Sequence, residues 1–134
     1  MRISVKVSVD RPVDRVWVCY TNPEDIVHWN FASDDWQTTS SQVDLGVGGL
    51  FSSRMEAKDG GAGFDFEGTY TNVVPNELLE YEFGGRTASV AFTSDSTGTQ
   101  VEVSFDAEDE NSVDLQRQGW QAILDNLKKY VESN

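Results

Sequence analysis

Residues 50–106 read LFSSRMEAKDGGAGFDFEGTYTNVVPNELLEYEFGGRTASVAFTSDSTGTQVEVSFD, and the fold turns on how that stretch divides. Phe51, Ser53, Met55 and Ala57 share one parity, and Lys58-Asp59-Gly60-Gly61 then turns the chain, because glycine accepts positive φ at no steric cost. Phe64, Phe66, Gly68 and Tyr70 line one face of the next run, which Pro75-Asn76-Glu77 reverses. Leu79, Tyr81 and Phe83 follow in step up to Gly84-Gly85. Val90 and Phe92 come next, then the turn Asp95-Ser96-Thr97-Gly98, then Val101, Val103 and Phe105. A period of two, broken at this regular spacing by turn residues, is the pattern of consecutive antiparallel hairpins.

Before that stretch, Asp35 to Val43 is polar and rich in Thr and Ser, which predicts an exposed strand. Ile3, Val5, Val7 and Val9 alternate with polar residues as a half-buried strand does. Between these two, Asp10 as a cap with Pro12 in the first turn predicts a helix carrying Val13, Val16, Trp17 and Tyr20. Asn22-Pro23 ends it, since the residue before a proline is pushed out of the α region. Pro23-Glu24-Asp25 opens a second short helix carrying Ile26, Val27 and Trp29. Beyond the strands, the acidic loop Asp106–Glu110 closes the sheet and Asn111 or Ser112 caps a final helix, with Asp114 in its favourable first turn. Trp120, Ile123, Leu124, Leu127 and Val131 form its apolar stripe, and Lys128 and Lys129 suit the dipole at its end.

The order is therefore one strand, two short helices, about six strands and one long helix. There is no internal repeat and no linker, so one domain is expected over residues 1–134. An antiparallel sheet of about seven strands with one apolar face must curl around something, and the C-terminal helix is the large apolar element left for it. The prediction is an α+β helix-grip fold: a curved antiparallel sheet around a long C-terminal helix, with two short helices after the first strand closing one end.

Bulk properties narrow the function. At 134 residues the chain is long enough to bury a real core, and 38% hydrophobic with 11% aromatic content is not that of a disordered tail. Ten basic residues stand against 23 acidic ones, a formal net charge of -13. Such a surface repels phosphate backbones and anionic headgroups, which argues against nucleic-acid binding and electrostatic membrane docking. No apolar run approaches the ~20 residues of a membrane span. The alternating start MRISVKVSVD does not read as a signal peptide, so a cytoplasmic location is expected. Cys19 alone forms no internal disulfide and reads as a small buried hydrophobe. One cysteine and one histidine do not make a Cys/His metal cluster, and no metal or cofactor is expected.

The candidate ligand-binding residues are the bulky groups assigned to the inner face: Trp17, Tyr20, Trp29, Phe51, Met55, Phe64, Phe66, Tyr70, Tyr81, Phe83, Phe92 and Trp120. These either fill a solid core or line a pocket, and periodicity alone does not separate the two. His28, the only histidine, has no identifiable catalytic partner and reads as a helix-surface or polar-rim group. Arg54 lies on the parity opposite Phe51 and Met55, and Asp65 and Glu67 alternate with Phe64 and Phe66, so all three are expected to face solvent. A calcium loop starting at Asp106 would need Gly at its sixth position and Glu at its twelfth; Asn111 and Arg117 stand there instead. Gly48-Gly49 lacks the Lys-Ser/Thr and the helix start of a phosphate loop, and reads as a tight bend or close backbone approach. No catalytic residue is assigned.

One set of residues points to a family. Pro12-Val13-Asp14-Arg15-Val16-Trp17, Thr21-Asn22-Pro23-Glu24 and His28-Trp29 occur in order. So do Val47-Gly48-Gly49 before an aromatic-led strand, Asp59-Gly60, Gly68-x-Tyr70-x-x-Val73-x-Pro75 and Gly98-Thr99. Gly119-Trp120 and Leu124-Asp125-Asn126-Leu127 complete the set. Over nearly its whole length the chain resembles the activator-of-heat-shock-protein-90-ATPase homologue-like proteins of the START-like, Bet v 1-like superfamily. The resemblance implies the helix-grip sheet, and a cavity between sheet and helix that many members use for lipids, polyketides or other apolar molecules. It implies no fixed catalytic motif. The leading expectation is a non-enzymatic carrier or sensor for an apolar small molecule or lipid. The competing ones are a protein-interaction module, such as a chaperone accessory, and a cyclase- or hydrolase-type enzyme using the pocket.

Overall fold

Alternation and turn chemistry produce the hairpins of residues 50–106 in the computed structural model, which describes residues 1–134. The elements in order are β1 (Arg2–Val9), α1 (Val13–Thr21), α2 (Pro23–Ile26), β2 (Trp36–Val43), β3 (Leu50–Ala57), β4 (Gly63–Val74), β5 (Leu78–Phe83), β6 (Arg86–Asp95), β7 (Gly98–Asp106) and α3 (Val113–Glu132). All seven strands join one antiparallel sheet in the order β1-β7-β6-β5-β4-β3-β2. The β5–β6 turn is the two-residue type that matches strand twist, with Gly84 and Gly85 at φ +56° and +79°. The registers align Tyr70, Tyr81, Ala88, Phe105 and Ile3 as one row across β4, β5, β6, β7 and β1. This is the helix-grip fold expected of the sequence, α+β with a long helix against one sheet face.

α3 packs over β1 and against α1. Leu124, Leu127 and Val131 on its inner stripe are at most 1% exposed. Ser112 is its cap, accepting the Leu115 amide at 3.1 Å. Trp120 stacks on Phe105 with ring centroids 4.0 Å apart.

Local differences from expectation have identifiable causes. Asp10 does not cap α1; Pro12 is itself the boundary residue, at φ −62° and ψ 153°. Its fixed φ suits both extended and helical backbone, so it serves as the last extended residue. The Asp10 amide instead donates to the Glu132 carboxylate at the end of α3, 2.8 Å away. α2 stops at Ile26, leaving Val27 and Trp29 in the following turn; its cap is Asn22. β2 is not exposed throughout. A bulge between Thr38 and Ser40 shifts its pairing, and Thr38 is buried, donating to the Asn30 carbonyl and the Met55 sulfur. Gly48, at φ +85°, donates to the Tyr70 carbonyl, and the Tyr70 amide returns a bond to Gly49. A side chain on Gly49 would run into the Asp44 carbonyl, so this loop is a close backbone approach.

Candidate functional site

The concave face of β3–β6 is not fully covered by α3, and the space left between them is a recess of about 430 Å³. Of its 23 lining residues, 18 are hydrophobic, which makes apolar contact its dominant property.

Its floor depends on one glycine. A Cβ on Gly68 would lie 2.6 Å from the Phe51 Cζ, so only glycine lets that ring lie across β4. There Phe51 meets Tyr81 edge-on at 4.9 Å, Tyr70 at 5.1 Å and Phe66 at 5.8 Å. Phe83 and Phe66 continue the wall toward Trp120, which with Ile123 and Leu124 forms the α3 side. Tyr20 from α1, and Ile26 and Trp29 from α2 and its turn, close one end. The Trp29 indole N–H donates to the Cys19 carbonyl at 3.0 Å, tying that end wall to α1. Met55, Trp36 and Phe64 form another edge, where Phe64 is 50% exposed and packs on Trp36 at 5.8 Å.

Ten of the twelve candidate residues thus border the recess. Trp17 and Phe92 do not. They are buried beside it, edge-to-face at 5.2 Å, and Tyr20 packs on Phe92 at 5.5 Å.

Polar groups in the recess are few. The Ser41 and Ser53 hydroxyls lie 3.1 Å apart and bond each other. Tyr20, Tyr70 and Tyr81 bring three phenols to the lining. Burial raises all three above the ordinary value of 10.0, Tyr70 to about 12. Proximity of Tyr70 raises Tyr20 further, and both neighbours raise Tyr81. These phenols are therefore neutral hydrogen-bonding groups at ordinary pH and poor proton acceptors.

Arg86, which was not among the candidates, is the one charged side chain among the 23. Its guanidinium carbon sits 4.4 Å from the Phe83 ring centroid, and Nη1 donates to the Asp106 carbonyl at 3.1 Å. The signal for it was present: Arg86 shares parity with Ala88, Val90 and Phe92, all buried on the inner face. Trp36 was also passed over, because its strand read as exposed.

The remaining ionisable candidates stand elsewhere. His28 is exposed and stacks on Tyr130, with centroids 5.3 Å apart. The Tyr130 hydroxyl donates to the Asp25 carboxylate, which pushes that phenol up to about 12. Cys19 is fully buried, and desolvation raises its thiol. Arg54 faces away from the recess, bonding Glu56 at 3.1 Å and Asp65 at 3.4 Å, while Glu67 is exposed. Asp106 accepts the Thr87 amide and pairs with Arg2 at 3.0 Å, which together hold its carboxyl at about 2. No three His, Cys, Asp or Glu side chains converge as a metal-holding group. The arrangement can enclose an apolar body and offer it phenol and guanidinium donors.

The family model described as Activator of Hsp90 ATPase homolog 1-like protein matches residues 10–132. The solution structure of the AHSA1-like protein from Aeromonas hydrophila is 46% identical, with a TM-score of 0.94 over 99% of this chain and 93% of that one. A solution structure from Cytophaga hutchinsonii is 42% identical, with a TM-score of 0.85 and the same coverage. A crystal structure from Chromobacterium violaceum, 23% identical, shares the fold with a TM-score of 0.86 over 100% of this chain and 99% of that one. No curated protein matches the chain. No helix is long and apolar enough to cross a membrane.

Proposed function

The chain belongs to the Activator of Hsp90 ATPase homolog 1-like family, and from that premise we propose that it binds a small, predominantly apolar molecule between the sheet and α3. One observation carries the reading: a recess of about 430 Å³ with 18 of its 23 lining residues hydrophobic. That volume falls in the ~300–1,000 Å³ range of small-molecule sites. A guest burying about 200 Å² of apolar surface gains about 5 kcal/mol at ~25 cal/mol per Å², before the entropy of association is subtracted.

Carriage or sensing fits this lining better than catalysis. A general base facing the guest would have to ionise near neutrality, and burial drives the recess phenols the other way. His28 stands outside the lining.

The test uses Nile red, an uncharged apolar dye. Its emission is expected to rise and shift to the blue on adding the protein, with quenching of the tryptophans that border the recess. Unchanged dye emission at high micromolar protein, with a panel of neutral apolar compounds also silent in amide shifts, would overturn the reading.

A further inference from the structure

The charge of the recess runs against that of the chain. Acidic residues outnumber basic ones 23 to 10, yet the one ionic group among the lining residues is the cation of Arg86. It forms no ion pair: the five salt bridges of the molecule use Arg2, Arg54, Arg117 and Lys128. Of its five N–H donors, only Nη1 has a protein acceptor, the Asp106 carbonyl. The Phe83 ring under the guanidinium holds its plane in position.

Tyr81 supplies a second donor nearby. Phe83 pairs with Arg86 and Tyr81 with Ala88, so Tyr81 and Arg86 are diagonal neighbours on one sheet face. The Tyr20, Tyr70 and Tyr81 hydroxyls make no hydrogen bond within the protein, yet no buried side-chain oxygen or nitrogen is without a partner. Each hydroxyl therefore keeps accessible surface, and all three residues line the recess. The Arg86 charge acts on the Tyr81 phenol against the burial that raises it.

We propose that Arg86 and the Tyr81 hydroxyl make this a site for amphipathic carboxylates, with the carboxylate on the guanidinium and the apolar body among the recess aromatics. The inference rests on the apolar-ligand reading above and adds the headgroup to it. Arginine suits the role because it stays charged at every working pH and its fork matches a carboxylate in two parallel bonds. A fully desolvated lone cation would be costly, but Arg86 is only half-buried, so it keeps contact with water when no anion is bound.

Matched pairs of guests decide it, measured on the intact chain by displacement of Nile red at neutral pH. The pairs are decanoate against decanol, for an acyl body, and naphthoate against naphthalenemethanol, for an aromatic one. Each acid is expected to bind about tenfold more tightly than its alcohol, the effect of one charge-assisted contact. Whichever pair binds more tightly identifies the body as acyl or aromatic. In Arg86→Met, whose stem still covers Phe83, the acid-to-alcohol ratio should fall to about one, and Arg86→Lys should restore part of it. If alcohol and acid bind wild type equally, the headgroup inference fails and the apolar-ligand reading survives. If no member of either pair binds, both fail together. A preference that persists in Arg86→Met would move the anion site elsewhere and overturn the assignment; the wild-type ratio stands as a test even should that variant misfold.

Discussion

The two halves of the sheet use the same alternation and reach opposite results. On β1, β7 and the adjoining part of β6, the inner face carries Ile3, Val5, Val9, Val90, Val101 and Phe105, none more than 4% exposed. On β3 and β4 the same parity carries buried Ser53, Met55 and Tyr70, but also Phe51 and Phe66, half-buried, and Phe64, half exposed. α3 packs over β1, and these side chains are buried there as a close-packed core. On the second half the rings of Phe51, Phe66, Tyr70 and Tyr81 pack on one another and border the recess.

The largest expected break in that comparison is in stability. Leu127→Ala, in the closed half, should cost about 2–5 kcal/mol in urea unfolding, because the vacated space is walled by packed neighbours. Phe64→Ala, at the open edge, should cost under about 1 kcal/mol, as surface changes generally do. Equal losses would mean that the open half is packed as tightly as the other.

Gly68→Val sharpens the contrast. Its Cβ would press on the Phe51 ring and the Glu82 carbonyl, which should cost about 1–3 kcal/mol and tilt Phe51 into the recess. Nile red affinity should fall with it; unaltered dye binding would show that the Phe51 ring does not shape the site.

Alkaline titration reads the phenols directly. All four tyrosines are raised, with Tyr70 and Tyr130 at about 12. The folded state favours the neutral phenol, so this stability is complete below pH 10 and is lost as pH rises toward 12 and beyond. Phenolate absorbance should remain low near pH 10.5 and then appear together with unfolding; half-ionisation at pH 10 in the native state would contradict it.

The smallest effect belongs to the edge of the closed half. The Asp106 carboxyl sits at about 2, below its ordinary 3.8, so it stabilises the fold above pH 4 and loses that contribution as pH falls toward 2. Asp106→Asn should therefore be slightly less stable than wild type at pH 6, with the gap closing in acid. A gap independent of pH would assign the effect to packing.

Fold and site were legible to different depths for a physical reason. Alternation tells which way a side chain points, and turns such as Gly84-Gly85 tell where a strand ends, so sheet and long helix followed from the sequence together with its family resemblance. Depth is another matter. Trp17 and Phe92 point inward like Tyr20, yet they pack on each other beside the recess. The bulge at Thr38 resets parity without a glycine or proline to mark it, which concealed both a buried threonine and the role of Trp36. Pro12 satisfied the rule for a first-turn proline while standing one position earlier. Arg86 lay in plain view on the inner parity, but a charged residue beside a turn is ordinarily solvated.

The division into a closed and an open half is tested most directly by locating a bound neutral guest. With decanol present in saturating amount, intermolecular nuclear Overhauser effects should connect it to the methyl groups of Met55, Leu79, Ile123 and Leu124, which border the recess, and not to those of Val101 or Val131 in the closed half. Contacts confined to exposed Leu45, Val47 and Leu50, or none at all, would contradict a binding recess between sheet and helix.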